Sequence, residues 1–194
     1  MTYTLVLLRH GESDWNVENR FQGLTDRPLT DRGVEQAGEL ADLIADEALD
    51  AVYASPLLRA LATAEVVAAR KGMKVIPVAA LREVDVGSWT GLSRAEVELR
   101  FPDGFRSWLG GGPGWTDGES YEEMAERVLT ALHEIAATHP AGRVLAVSHG
   151  GPIRAAHAEA AGMDVYSYRR LHPVEPNARL SAVAVENGTI RRID

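Results

Sequence analysis

The chain has 194 residues, no cysteine and a formal net charge of −8. That length suits one domain with at most an inserted segment. The missing thiols exclude disulfides, thiolate nucleophiles and zinc–thiolate sites, and the acidic balance argues against a broad basic face for nucleic acid. No apolar run approaches the ~18 residues of a membrane span, and no basic region precedes the strand-length apolar run Thr4 to Leu8, so neither a membrane anchor nor a signal peptide is expected and the cytoplasm is.

Thr2 to Leu8 is apolar without alternation, which predicts a central strand buried on both faces. Polar and turn residues follow from Gly11 to Pro28. Thr30 can N-cap a helix through Leu40, Leu43 and Ile44. Ala51 to Ala54 reads as a second strand. Ser55-Pro56 then pairs a cap with a proline at the first helical position, opening a helix that carries Arg59 and runs to about Ala69. Lys74 to Val78 reads as a third strand.

Ser93 with Glu96, and Ser120 with Glu123, form capping boxes for a short and a longer helix. The longer one carries Met124, Val128, Leu132 and Ile135 on one face. Arg143 to Val147 is a fourth buried strand, followed at once by a helix from Gly151 to Ala161. Leu180 to Val185, Asn187-Gly188 and Thr189 to Ile193 read as a terminal hairpin. Alternating strands and helices make the class α/β, a three-layer α/β/α sandwich with a mostly parallel central sheet. The stretch from about Val84 to Gly118 is the least regular; it is rich in glycine and holds Trp89, Trp108 and Trp115. It is expected to be a lid inserted in a single domain spanning residues 1–194; a mobile loop with a small satellite core is the plainer alternative.

Ligands of open α/β sheets bind beyond the carboxyl ends of the strands. The first strand ends at Arg9-His10-Gly11 and the fourth at Ser148-His149-Gly150-Gly151, Arg59 opens the helix after the second, and Glu83 follows the third. If those strands are parallel, two arginines, two imidazoles and one carboxylate share an edge. Such a set suits a tetrahedral anion. Arg9 and Arg59 can fork onto phosphate oxygens. A neutral imidazole can attack phosphorus, and a protonated second one can stabilise the equatorial oxygens. The amides of Gly11 and Gly150 can approach phosphate closely, and Glu83 can protonate a leaving alcohol. No metal or other cofactor is required. Each residue taken alone has a plainer reading as a packed or surface side chain.

Arg9-His10-Gly11-Glu12-Ser13-Asp14-Trp15-Asn16 resembles the signature R-H-G-E-[ST]-x-W-N of the histidine phosphatase superfamily, in its phosphoglycerate-mutase-like branch. Further blocks match in order: Phe21 to Asp26 with Pro28-Leu29-Thr30; Ser55 to Ala60; Leu81-Arg82-Glu83 with Gly87, Trp89 and Gly91; and Ser148 to Gly151. The resemblance implies that His10 is the phosphorylated nucleophile, that Arg9, Arg59 and His149 bind the transferred phosphoryl group, and that Glu83 is the general acid and then the base. It implies contacts to phosphate or substrate from Asn16, Gln22 and the backbone of Gly23 and Gly150.

Members of this family divide between phosphatases and mutases. The chain is short for a mutase, lacks an adjacent arginine pair between Val84 and Gly118, and carries Val86 and Gly151 where mutases usually place tyrosine and asparagine. These features favour metal-independent hydrolysis of a small phosphomonoester, with cofactor-dependent phosphoglycerate mutation as the alternative and an inactive scaffold as a third reading. His133, His139 and His157 are expected to be surface or core residues. His172 lies in a loop before the last strands that could reach the site rim, and Pro176-Asn177 resembles a loop that family members place near the phosphate. Arg94, Arg100 and Arg106 accompany the tryptophans of the expected lid.

Overall fold

A computed structural model describes residues 3–139, 141–186 and 188–193. Six strands, β1 (Tyr3–Arg9), β2 (Ala51–Ala54), β3 (Val75–Pro77), β4 (Arg143–Ser148), β5 (Leu180–Glu186) and β6 (Thr189–Arg192), form one sheet in the order β3-β2-β4-β1-β5-β6. Strands β3, β2, β4 and β1 are mutually parallel, and β5 and β6 complete the sheet in antiparallel sense. The helices are α1 (Asp14–Val17), α2 (Asp31–Leu43), α3 (Leu58–Arg70), α4 (Arg94–Arg100), α5 (Pro102–Leu109), α6 (Tyr121–Thr138), α7 (Gly150–Ala160) and α8 (Val165–Leu171).

The central strands feed two cores, which is why they read as unbroken apolar runs. Leu5 and Leu7 of β1, Tyr53 of β2 and Ala146 of β4 face one side with Met124, Val128, Leu132 and Ile135 of α6 and Ile153 of α7. Val6, Leu8, Val52, Leu145 and Val147 face the other, against Leu40 of α2 and Ala60, Ala64 and Val67 of α3. The three-layer α/β/α sandwich with a mostly parallel sheet is therefore what forms. Thr30, Ser93 and Ser120 cap their helices as expected, each accepting a bond from the amide three residues on.

Several local expectations are corrected. The helix after Ser55-Pro56 starts at Leu58, because the Ser55 hydroxyl serves His149 and the carboxylate of Asp26 accepts from the Leu58 amide instead. The third strand is limited to Val75–Pro77, and the helix after β4 opens at Gly150. Gly11 to Pro28 is not all turn: Ser13 and Asn16 close a capping box around α1. The stretch from Val84 to Gly118 holds α5 as well as α4, with Trp89, Val97, Phe105 and Trp115 buried in the α6-side core. Helix α8 was not foreseen. Of the expected hairpin, β5 and β6 pair as antiparallel neighbours, while Asn187, like Thr2 of the first strand, lies outside the described residues.

Candidate active site

Parallel pairing of β1 with β4 places Arg9 opposite Ser148, and the His10 amide donates to the Ser148 carbonyl at 3.0 Å. The next residues, His10 and His149, therefore leave the sheet side by side, with ring centroids 5.1 Å apart. Arg59, on the first turn of α3, is 1% exposed, and His10 and His149 are 3% and 0% exposed. Glu83 arrives from the 3-10 turn Ala79–Leu81. That turn is fastened from below, since Ser148 Oγ donates to the Leu81 carbonyl at 2.7 Å. Arg127 of α6 donates to the carbonyls of Ala80, Arg82 and Glu83, and its charge is matched by Glu119.

The proton position of His10 follows from its partner. His10 Nδ1 lies 2.7 Å from the Gly11 carbonyl, an acceptor only, so Nδ1 carries the hydrogen and Nε2 the lone pair. Burial, and then repulsion from Arg59 and Arg9, hold its pKa well below the usual imidazole range, despite that bond. At neutral pH the ring is an uncharged base. The Ser55 hydroxyl lies 2.8 Å from His149 Nε2 and also accepts from the Leu57 amide, and His149 Nδ1 is buried without a hydrogen-bond partner among the described residues. His149 is also pushed well down, first by burial and then by Arg59.

Arg59 donates to the carbonyls of Gly23 and Thr25 at 3.0 and 2.9 Å, and Arg9 to that of Glu175. Burial lowers Arg59 to about 10, so it keeps its charge at neutral pH. The Nε atoms of Arg9 and Arg59 and the Nδ1 of His149 are buried without a hydrogen-bond partner among the described residues. Unpaired buried donors of this kind are costly in a folded protein and mark where an acceptor binds.

Gly23 has φ of +49°, and its carbonyl turns toward Arg59. Asn16 Oδ1 accepts from Ser13 and from Asn177 Nδ2, which also reaches the His10 carbonyl at 3.0 Å. Gln22 joins through Ser13 Oγ at 3.0 Å. Gly11 has a different task from the one expected. Its amide donates to Thr63 Oγ1 at 3.0 Å, and a Cβ there would lie 2.5 Å from the Gly33 carbonyl oxygen. Its size serves close packing on α2, so its amide is not turned to the site.

A cavity of about 650 Å³ joins these groups. Arg9, His10, Asn16, Gln22, Gly23, Arg59, Glu83 and Gly150 all line it. His149 sits beneath its floor, fully buried. His172 and Asn177 reach the rim, and Trp108 and Trp115 form the wall from residues 84–118. Trp89, at 0% exposed, anchors that segment in the core instead. Of the three arginines there only Arg94 lines the cavity; Arg106 pairs with Asp103 outside. Sequence reasoning missed Arg154 and Arg169, which also line it, and Arg127, which braces Glu83. Arg154 had a usable signal, being three residues after Gly151 on the same helix face. Among the described residues no group of three or more His, Asp or Glu side chains is placed to hold a metal ion, and no helix is long and apolar enough to cross a membrane.

A family model described as the histidine phosphatase superfamily, branch 1, matches residues 5–193. The chain belongs to the histidine phosphatase superfamily. It is 37% identical over 166 residues to phosphoserine phosphatase 1 of Hydrogenobacter thermophilus, covering 84% of this chain and 79% of that one. It is 34% identical over 183 residues to a probable phosphoglycerate mutase, GpmB, of Proteus mirabilis, covering 93% and 84%. Among solved structures, Bacillus stearothermophilus YhfR superposes with a TM-score of 0.91 at 31% identity, covering 98% of this chain and 95% of that one. The resemblance carried by the five sequence blocks and the expected class, a phosphatase of this superfamily, are borne out.

Proposed function

We propose that the protein hydrolyses small phosphomonoesters without a metal, through a phosphohistidine on His10. The observation that carries this reading is the lone pair on His10 Nε2, set beside buried nitrogens of Arg9, Arg59 and His149 that lack partners. In the first step His10 Nε2 attacks phosphorus and the ester P–O bond breaks. Arg9, Arg59 and the neutral His149 Nδ1–H hold the equatorial oxygens as charge builds on them. Glu83 gives its proton to the departing alkoxide. Glu83, now ionised, takes a proton from water, which attacks phosphorus and breaks the P–N bond to release inorganic phosphate.

Asn16, Gln22 and the backbone of Gly23 and Gly150 contact the phosphate or the substrate near it. Residues 84–118 act as the lid of a single catalytic domain, with Trp108 and Trp115 as its inner face. The cytoplasmic location expected from the sequence belongs to this reading too.

The test is hydrolysis of p-nitrophenyl phosphate in excess chelator, with rapid acid-free quenching to trap a phosphoryl label on His10. Turnover with a base-stable, acid-labile label is expected. No hydrolysis of any monoester, together with conversion of 3-phosphoglycerate to 2-phosphoglycerate, would overturn the hydrolytic reading in favour of the mutase.

A further inference from the structure

Gly11 carries no side chain to restrain its backbone, and its carbonyl is the group that holds His10 Nδ1 at 2.7 Å. The direction of the imidazole therefore depends on how firmly that glycine is held. Close packing is one restraint: a Cβ would meet the Gly33 carbonyl oxygen at 2.5 Å, so the backbone lies directly on α2. Hydrogen bonds are the other. The carbonyl of the peptide joining His10 to Gly11 accepts from Asn177 Nδ2 at 3.0 Å and from the Ala178 amide at 3.2 Å. The N–H of that same peptide, on its opposite edge, donates to Thr63 Oγ1 at 3.0 Å.

Thr63 is 0% exposed and sits in the second turn of α3, 52 positions from Gly11. A helical threonine that bonds the carbonyl four residues back is ordinary, and Thr63 does so, donating to the Arg59 carbonyl at 2.7 Å. That bond uses the hydroxyl's single hydrogen, so toward Gly11 it presents only a lone pair. The Gly11 N–H supplies what that lone pair accepts. One hydroxyl thus joins the backbone of Arg59, whose side chain lines the cavity, to the backbone beside His10. Thr63 itself does not line the cavity, so whatever it does for the reaction it does through these two neighbours.

We infer that Thr63 is a positioning residue for the attack by His10: its hydroxyl pins the His10–Gly11 peptide to α3 and, through the Gly11 carbonyl, sets the direction of the imidazole. This rests on the phosphohistidine reading and deepens it. Without the hydroxyl the Gly11 N–H is buried with no acceptor, a costly state that turning the peptide relieves. A turned peptide carries the Gly11 carbonyl away from Nδ1 and lets the ring hydrogen move to Nε2, the atom that must keep its lone pair. The Arg59 carbonyl keeps its helical amide partner, and Arg9 and Arg59 hold phosphate through their own side chains. The loss therefore falls on the chemical step and not on phosphate binding.

Thr63→Val removes the hydroxyl at nearly constant shape. Pre-steady-state release of p-nitrophenolate from p-nitrophenyl phosphate, which reports phosphorylation of His10, should slow by about 10–100-fold. The Kd for inorganic phosphate, read by titration calorimetry, should change by less than about threefold. NMR of the His10 ring nitrogens should show one tautomer, with the hydrogen on Nδ1, in the wild type and a mixture in Thr63→Val. Thr63→Ser, which keeps the hydroxyl, should restore both the rate and the single tautomer. Where Thr63→Val does not fold, Thr63→Ala, which overfills nothing, carries the same readouts. Unslowed phosphorylation in Thr63→Val, a loss of phosphate affinity as large as the loss of rate, or a Thr63→Ser no faster than Thr63→Val overturns the positioning role. Failure of the parent reading looks different: no p-nitrophenolate release and no label on His10 already in the wild type.

Discussion

A Cβ on Gly151 would lie 2.3 Å from Glu83 Oε1 and 2.8 Å from the Met124 sulfur. Without that carbon, the Gly151 amide approaches the carboxylate and donates to it at 3.2 Å. The glycine at the start of α7 therefore sets where the carboxylate sits. Gly151→Ala should keep the fold, since the added Cβ meets the ends of two side chains, Glu83 and Met124, rather than backbone. It should displace Glu83 and lower kcat/KM for alkyl phosphates about 100-fold, with a much smaller loss on p-nitrophenyl phosphate. Equal losses on the two substrates would show that the glycine serves something other than the acid.

Glu83→Gln tests the proposed general acid. Alkyl phosphates, whose alkoxide needs protonation, should slow by about 10²–10⁴-fold. The p-nitrophenolate group leaves without help, so its ester should be affected far less. Steady-state kinetics on a series of leaving groups measures this as a steeper dependence on leaving-group basicity.

His10→Ala removes the proposed nucleophile and should cost at least ~10³-fold in kcat while leaving the unfolding midpoint near wild type. The trapped phosphoryl label should vanish with it. Retained label on the variant would move the nucleophile elsewhere.

The depressed histidines make stability depend on pH. Both His10 and His149 are held neutral in the native state, principally by burial and then by Arg59. In the unfolded chain they take up protons around the ordinary value of about 6.5. Below that pH the unfolded state binds more protons than the native one, so stability falls as pH falls. The slope approaches about 1.4 kcal/mol per pH unit for each imidazole until the native values are reached. Urea midpoints between pH 7.5 and 5 should show this decline, and His149→Gln should remove one imidazole's share. A flat profile in the wild type would contradict the burial of two neutral rings.

Arg127 holds the backbone that carries Glu83. Arg127→Met leaves the carbonyls of Ala80, Arg82 and Glu83 without their donor and Glu119 without its partner. A loss of about 1–3 kcal/mol in urea unfolding is expected. The remaining activity should show the same bias against poor leaving groups as Gly151→Ala, which a purely structural role would not produce.

Capping boxes at Ser93 and Ser120, and the apolar runs of β1, β2 and β4, were legible because they depend on neighbours within a few positions. Ser55 misled for the same reason: its spacing suits a cap, but a histidine 94 positions away, His149, takes its hydroxyl. Gly11 misled likewise, since its packing partner is Gly33 on another element.

By itself the sequence determined the class of fold and the set of chemical groups, through the period of its apolar residues and the blocks around His10, Arg59, Glu83 and His149. Only the tertiary structure decided their states. The burial that holds His10 and His149 neutral, and the absence of a partner for the Arg9, Arg59 and Arg154 Nε atoms among the described residues, depend on groups distant in sequence. Burial and long-range partners decide protonation and hydrogen bonding, and neither is visible until the strands pair.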